Sequence, residues 1–437
     1  MAPQTEAECL LGTGAMYGRR LLLRGGTGAP VFAGFKPGGF SLYFGDAPIV
    51  HFDREGRWQR AFRDGLHYLK GLDAAVQTID RVREGENLVL KRKSLNHSEV
   101  GVFDEWVRTT AVALTEALDS GRLIAVEPPT PRLPIRPEEL RAFLGRVAGW
   151  DAPAWDAHRL RYLDTYGPLP FLPPDCPAPV VVQATLGHEG GLAFGGAPAA
   201  GHAVRSPDEF EAHARAVAAL LGRRVEQCKS VFLGGSDVLL RPVGDVTAYL
   251  EILGRVFPID AAGGPRPRSV SADAPPSLGG VHAFLDRFDA RRHDRDALRS
   301  HRAGGLVRVS LGVESGAPEV RARYAKTWTD DALRAAVADL KAAGIGVGVI
   351  ALVGAGGEGD AGRDPDATAA LLKALELGPG DLVSLIDAEE IRGPDPAGLT
   401  AAARAERLDA LKTRLAPIRT ERGAKVVSYS LEKQGLS

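Results

Sequence analysis

The chain has 437 residues, of which 44% are apolar, and 54 basic residues stand against 55 acidic ones for a net charge near −1. That length exceeds one ordinary domain and predicts two domains plus a tail. The charge balance argues against a nucleic-acid partner, and no stretch approaches the ~20 apolar residues of a membrane span.

Met1 to Leu11 is acidic and lacks an apolar core, so it does not read as a signal peptide, and cytoplasm is the expected location. The three cysteines, Cys9, Cys176 and Cys228, are far apart and odd in number. That argues against a disulfide framework and against a zinc site built on paired cysteines.

Taken in chain order, residues 1–127 predict an N-terminal α+β domain. Pro30 to Phe35 and Phe40 to Phe44 read as strands around a Lys36-Pro37-Gly38-Gly39 hairpin turn, and Ile49 to Phe52 as another strand. Gly65 to Asp80 is expected to be helical, Asn87 to Lys93 an edge strand, and Asp104 to Asp119 a helix. The aromatic set Phe40, Tyr43, Phe44, Phe52, Trp58, Phe62 and Tyr68 is expected to fill the interior of this small domain, with a ligand site as the alternative. Residues 128–179 are dense in proline and read as a linker, with one short helix from Pro137 to Val147.

From Val180 the pattern turns regular. Strands are predicted at Val180–Leu186, Val231–Leu233, Ser269–Ala272, Leu306–Leu311, Val347–Leu352 and Leu382–Ile386. Helices are predicted at Asp208–Leu221, Val243–Val256, Leu278–Arg287, Pro318–Tyr324, Asp330–Ala343, Asp366–Leu377 and Thr400–Leu415. Six βα units across 180–437 imply a parallel sheet covered by helices, a (βα)6 partial TIM barrel with a C-terminal helix and tail. In such folds chemistry gathers at the C-terminal ends of the strands.

Three of those ends carry glycine next to an acid: Leu233-Gly234-Gly235-Ser236-Asp237, Leu311-Gly312-Val313-Glu314-Ser315-Gly316, and Val353-Gly354-Ala355-Gly356-Gly357-Glu358. Singly, each is ordinary turn chemistry. In this order the region from about 170 to 430 resembles the radical SAM superfamily, in the branch with an elongator-like core. The resemblance implies that Gly234, Gly235, Ser236 and Asp237 face the methionyl group of S-adenosyl-L-methionine (SAM). It implies that Glu314 and Ser315 lie on the ribose side, and Gly354 and Gly356 beside the adenosine.

At the first strand end the chain departs from that family. Where the family has CxxxCxxC, this chain reads Leu186-Gly187-His188-Glu189-Gly190-Gly191-Leu192-Ala193-Phe194-Gly195. The aromatic is kept as Phe194, but the three cluster positions fall on His188, Leu192 and Gly195. Thiolates hold iron–sulfur clusters and imidazole can replace some of them, whereas leucine and glycine have no donor. Cys228 precedes the second strand and, at ~3.3 Å per residue, lies roughly 20 Å from Gly234. A 4Fe–4S cluster is therefore expected to be absent, and with it the radical chemistry.

What remains is a pseudoenzyme that binds SAM or a related nucleoside, or a partner protein. A non-radical enzyme using His188 or Glu189 as acid or base, and a radical enzyme with atypical cluster ligands, are the alternatives. A mononuclear metal on His188, Glu189 and His202 matches no known spacing, and solvated loop histidines are the simpler account. Neither a GxSxG elbow nor a phosphate-binding GxxxxGK[ST] loop occurs.

Overall fold

The computed structural model describes residues 20–25, 30–36, 38–84, 87–126, 135–167, 169, 172–187, 202–235, 237–260, 277–288, 294–360, 363–392 and 399–430. Two sheets organise the described residues. The first contains β1 (Arg20–Gly25), β2 (Val31–Lys36), β3 (Gly39–Phe44), β4 (Ile49–Asp53), β5 (Trp58–Arg63), β6 (Leu66–Lys70), β7 (Val76–Glu84), β8 (Asn87–Ser94) and β9 (Leu123–Val126). All neighbours are antiparallel, in the order β8-β7-β6-β5-β4-β3-β2-β1-β9.

Tight turns drive this meander. Lys36 pairs with Gly39, leaving a two-residue turn in which Gly38 adopts φ +70°. A Cβ there would lie 2.8 Å from the Glu226 backbone, and Gln227 Nε2 donates to Gly38 O at 2.9 Å. The turn thus makes the hairpin and also touches the second half of the chain.

Gly65–Asp80 is not helical. It forms β6 and β7, because Gly71-Leu72-Asp73-Ala74 turns the chain: Gly71 N donates to Ala75 O, Ala75 N to Asp73 Oδ1, and Ala74 takes φ +66°. The aromatic residues Phe40, Phe52 and Trp58 are core, packed with Phe143 of the helix Pro137–Ala148 and Phe103 of the helix His97–Asp119. Residues 135–155 supply Ile135, Leu140, Leu144, Val147 and Trp155 to the same core, and a second helix, Ala152–Thr165, follows from an Asp151 cap.

The second sheet is wholly parallel and seven-stranded among the described residues. Its order is β10 (Pro179–Gln183), β13 (Ser230–Gly234), β14 (Val281–Leu285), β15 (Leu306–Glu314), β16 (Gly346–Val353), β17 (Leu382–Asp387) and β18 (Lys425–Tyr429). A small hairpin, β11 (Thr185–Leu186) with β12 (Ala203–Val204), follows β10. Helices connect the parallel strands, so this half is α/β.

The third unit differs from the sequence reading. Ser269–Ala272 lies outside the described residues, and Leu278–Arg287 carries β14 rather than a helix. All five β14 residues are buried, so the segment has no polar face and its period is uninformative. No helix among the described residues is long and apolar enough to cross a membrane.

The two sheets are joined by buried polar contacts. Arg57 pairs with Asp53 at 2.6 Å and donates to the carbonyls of Leu220 and Leu221, at the C-terminus of the helix Pro207–Leu221. A guanidinium thus satisfies carbonyls that the helix itself leaves open. Arg223 N donates to Glu55 Oε1 and Trp150 Nε1 to Glu55 O nearby.

Candidate functional site

Four charged side chains converge at the C-terminal ends of β13, β14 and β15. Asp237 follows β13, Asp286 follows β14, Glu314 ends β15, and Lys326 follows the short helix Pro318–Arg323. Lys326 Nζ lies 3.0 Å from Glu314 Oε1 and also contacts Asp286 Oδ1. Gly312 is the floor of this cluster, since a Cβ there would meet Asp286 Oδ1 at 2.2 Å.

Backbone irregularities aim these groups. The register of β15 on β16 slips between Gly312 and Glu314, a bulge at the strand end. Glu314 then takes φ +58° and Asp237 φ +57°, a left-handed conformation uncommon outside glycine. Ala325, with φ +55°, turns the chain just before Lys326.

Electrostatics follow from burial. Glu314 is fully buried, and desolvation pushes its carboxyl up to about 8 against the opposing pull of Lys326. Glu314 Oε2 has no hydrogen-bond partner among the described residues. The ammonium of Lys326 is held charged, its pKa raised by Glu314 and Asp286 against the cost of burial.

Asp237 is turned toward its own chain. Its Oδ1 accepts from Asp286 N at 2.7 Å and Arg287 N at 3.2 Å, while Oδ2 accepts from Arg287 Nε at 3.2 Å. Burial raises its pKa, and the Asp286 backbone N–H works against that rise. Gly235, at φ +94°, lies where a Cβ would be 1.8 Å from Thr185 Oγ1, and Gly234 packs on Val181 and Val182. Packing against β10 and β11 therefore accounts for both glycines.

Ser315 faces the helix Arg363–Ala374. Its Oγ donates to Asp364, Ala317 N donates to that Oγ at 2.9 Å, and Gly316 N donates to Thr368 Oγ1 at 2.7 Å. Gly354 takes φ +82° beneath Leu399. Gly356 O accepts from Arg323, and Gly357 O from Arg407.

Ser236, His188, Glu189, Leu192, Phe194 and Gly195 lie outside the described residues. His202 is exposed, and no group of three His, Cys, Asp or Glu among the described residues is arranged to hold a metal. Cys176 and Cys228 are buried and unpaired, at the other end of the sheet; Cys176 Sγ lies 3.4 Å from Ser230 Oγ at the start of β13. Burial pushes the Cys176 thiol pKa well up, and that of Cys228 up to about 11.

Asp286 and Lys326 are the members of the cluster that sequence reasoning missed. Asp286 was hidden because its strand reads as a helix. Lys326 carries no motif, and only its left-handed turn brings it inward. No family model matches the chain, and no curated protein matches it.

Proposed function

We propose that the chain is a degenerate member of the radical SAM superfamily that works in the cytoplasm without a 4Fe–4S cluster, as a partner subunit. The alternative role under the same reading is a scaffold for SAM or a related nucleoside. Support for the fold comes from the seven parallel strands. In a flat sheet the edge strands β10 and β18 would stand roughly 29 Å apart, yet Val181 and Tyr429 line one cavity. That favours a partial TIM barrel.

The donor set does not fit a cluster. Two of the three expected positions offer hydrocarbon or hydrogen, and the described thiols are buried, protonated and at the wrong strand ends. The acidic loops do not fit SAM as they stand either. A methionyl ammonium at Asp237 would have to displace Arg287 and two main-chain donors.

One observation carries the proposal: Lys326 already lies between Glu314 and Asp286, so the Glu314 carboxyl that the resemblance implies for a ribose is engaged by the chain itself. The chain neutralises its own acidic strand ends. Anaerobic reconstitution followed by iron and sulfide analysis tests the first part, and the expected content is far below one cluster per chain. Near-stoichiometric cluster would sink it. Calorimetric titration with SAM and S-adenosylhomocysteine separates the two roles: no heat for the partner subunit, saturable binding for the nucleoside scaffold.

The raised pKa of Glu314 favours a second reading, a non-radical enzyme, because a carboxyl that keeps its proton near neutrality suits acid–base work. A transition metal that co-purifies with the protein and is lost on His188→Ala would favour this reading.

A further inference from the structure

Away from the acidic cluster, a cavity of about 530 Å³ lies between the first sheet, the N-terminal ends of β10 and β13, and Tyr429, the last residue of β18. Arg60, Lys70, Arg224 and Lys229 line it, and among the described residues no carboxylate does. Lys70 is already neutralised, bonded to both oxygens of Asp104 and 3.7 Å above the Trp155 ring. Arg60 and Lys229 are exposed.

Arg224 is different. Its guanidinium has no hydrogen-bond or ion-pair partner among the described residues. Burial lowers its pKa, and of its charged neighbours Asp53 is already bonded to Arg57. Gln59, on the same wall, has a buried Nε2 that likewise lacks a partner. Arg57, in the same interface, shows what a structural arginine does here, since it bonds one carboxylate and two carbonyls. Arg224 is half-buried at the cavity wall, so its unpaired guanidinium is within reach of a ligand that supplies the missing acceptor.

The remaining walls are apolar or aromatic, with Tyr162, Tyr166, Leu172 and Tyr429. Cavities of this size accept small organic molecules. We propose that this cavity binds a small organic anion whose carboxylate or phosphate pairs with Arg224 while its apolar body packs against the tyrosines. Arginine matches such groups because its planar fork can donate two parallel bonds to one oxyanion.

The test titrates the full chain with the fluorescent aromatic sulfonate anilinonaphthalene sulfonate, and displaces it with benzoate, phenyl phosphate or phenol. One saturable site is expected, displaced by the anions but not by phenol. The stronger of benzoate and phenyl phosphate identifies which oxyanion the site prefers. Arg224→Met should weaken binding by about tenfold or more, with Arg224→Lys intermediate. Without ligand, Arg224→Met should melt at or above the temperature of the parent chain. Absence of saturable binding, equal affinity in Arg224→Met, displacement by phenol, or a ligand-free variant that melts several degrees lower would each overturn the proposal.

Discussion

Glu314 and Asp237 are acidic residues in a left-handed backbone conformation at the ends of β15 and β13, on either side of β14, and both are spent on intramolecular contacts. Their environment makes a residue-scale prediction. Lys326→Met leaves Glu314 and Asp286 buried without their cation and should cost about 3–5 kcal/mol in urea unfolding. Between the ordinary carboxyl range and about 8, the folded state holds a Glu314 proton that the unfolded chain releases. The Glu314 contribution to stability is therefore complete at the acid end of that window and is lost as pH rises through about 8. Glu314→Gln should flatten this slope relative to the parent, and parallel slopes would show that Glu314 titrates normally.

At the scale of elements, local signals and packing disagree in identifiable places. The helix Pro207–Leu221 is legible because Ser206 and Glu209 form a capping box with Pro207 at the first turn. Its far end is legible only in three dimensions, where Arg57 from the other sheet bonds its last carbonyls. Arg57→Met should cost about 3–5 kcal/mol, because Asp53 stays behind, buried and uncompensated. Adding Asp53→Leu should recover part of that loss, as a double-mutant cycle would measure. Strand β14 and the pair β6–β7 escaped the sequence reading for opposite reasons. The first is apolar on both faces, and the second is set by a turn that overrides helical spacing.

For the molecule as a whole, Arg57, Asp53 and the Gly38–Gln227 contact tie the two sheets through buried groups. One cooperative unfolding transition is expected, with calorimetric and van't Hoff enthalpies in agreement, and two resolved transitions would contradict it. Acid sensitivity is also collective. Burial lowers the pKa of His51, His158, His213 and His282 to about 4 each. Neutral in the folded state, they bind protons in the unfolded chain from about pH 6.5 downward. Their contribution is thus present above that value and lost as pH falls toward 4, which denaturation midpoints across that range would record.

The alternation of apolar strands with capped helices from Val180 onward was sufficient to declare a parallel α/β half, because hydrophobic period and turn chemistry are local properties. The proposal that no cluster is held likewise rests on residue chemistry alone, since leucine and glycine side chains offer no ligand atom in any fold. Tertiary structure alone decided how the acidic strand ends are used. Lys326 contacts both Glu314 and Asp286, Arg287 bonds Asp237, and Arg224 is left facing a cavity without a partner among the described residues. Burial and pairing depend on residues distant in sequence, and only the folded chain brings those residues within a few ångströms of one another.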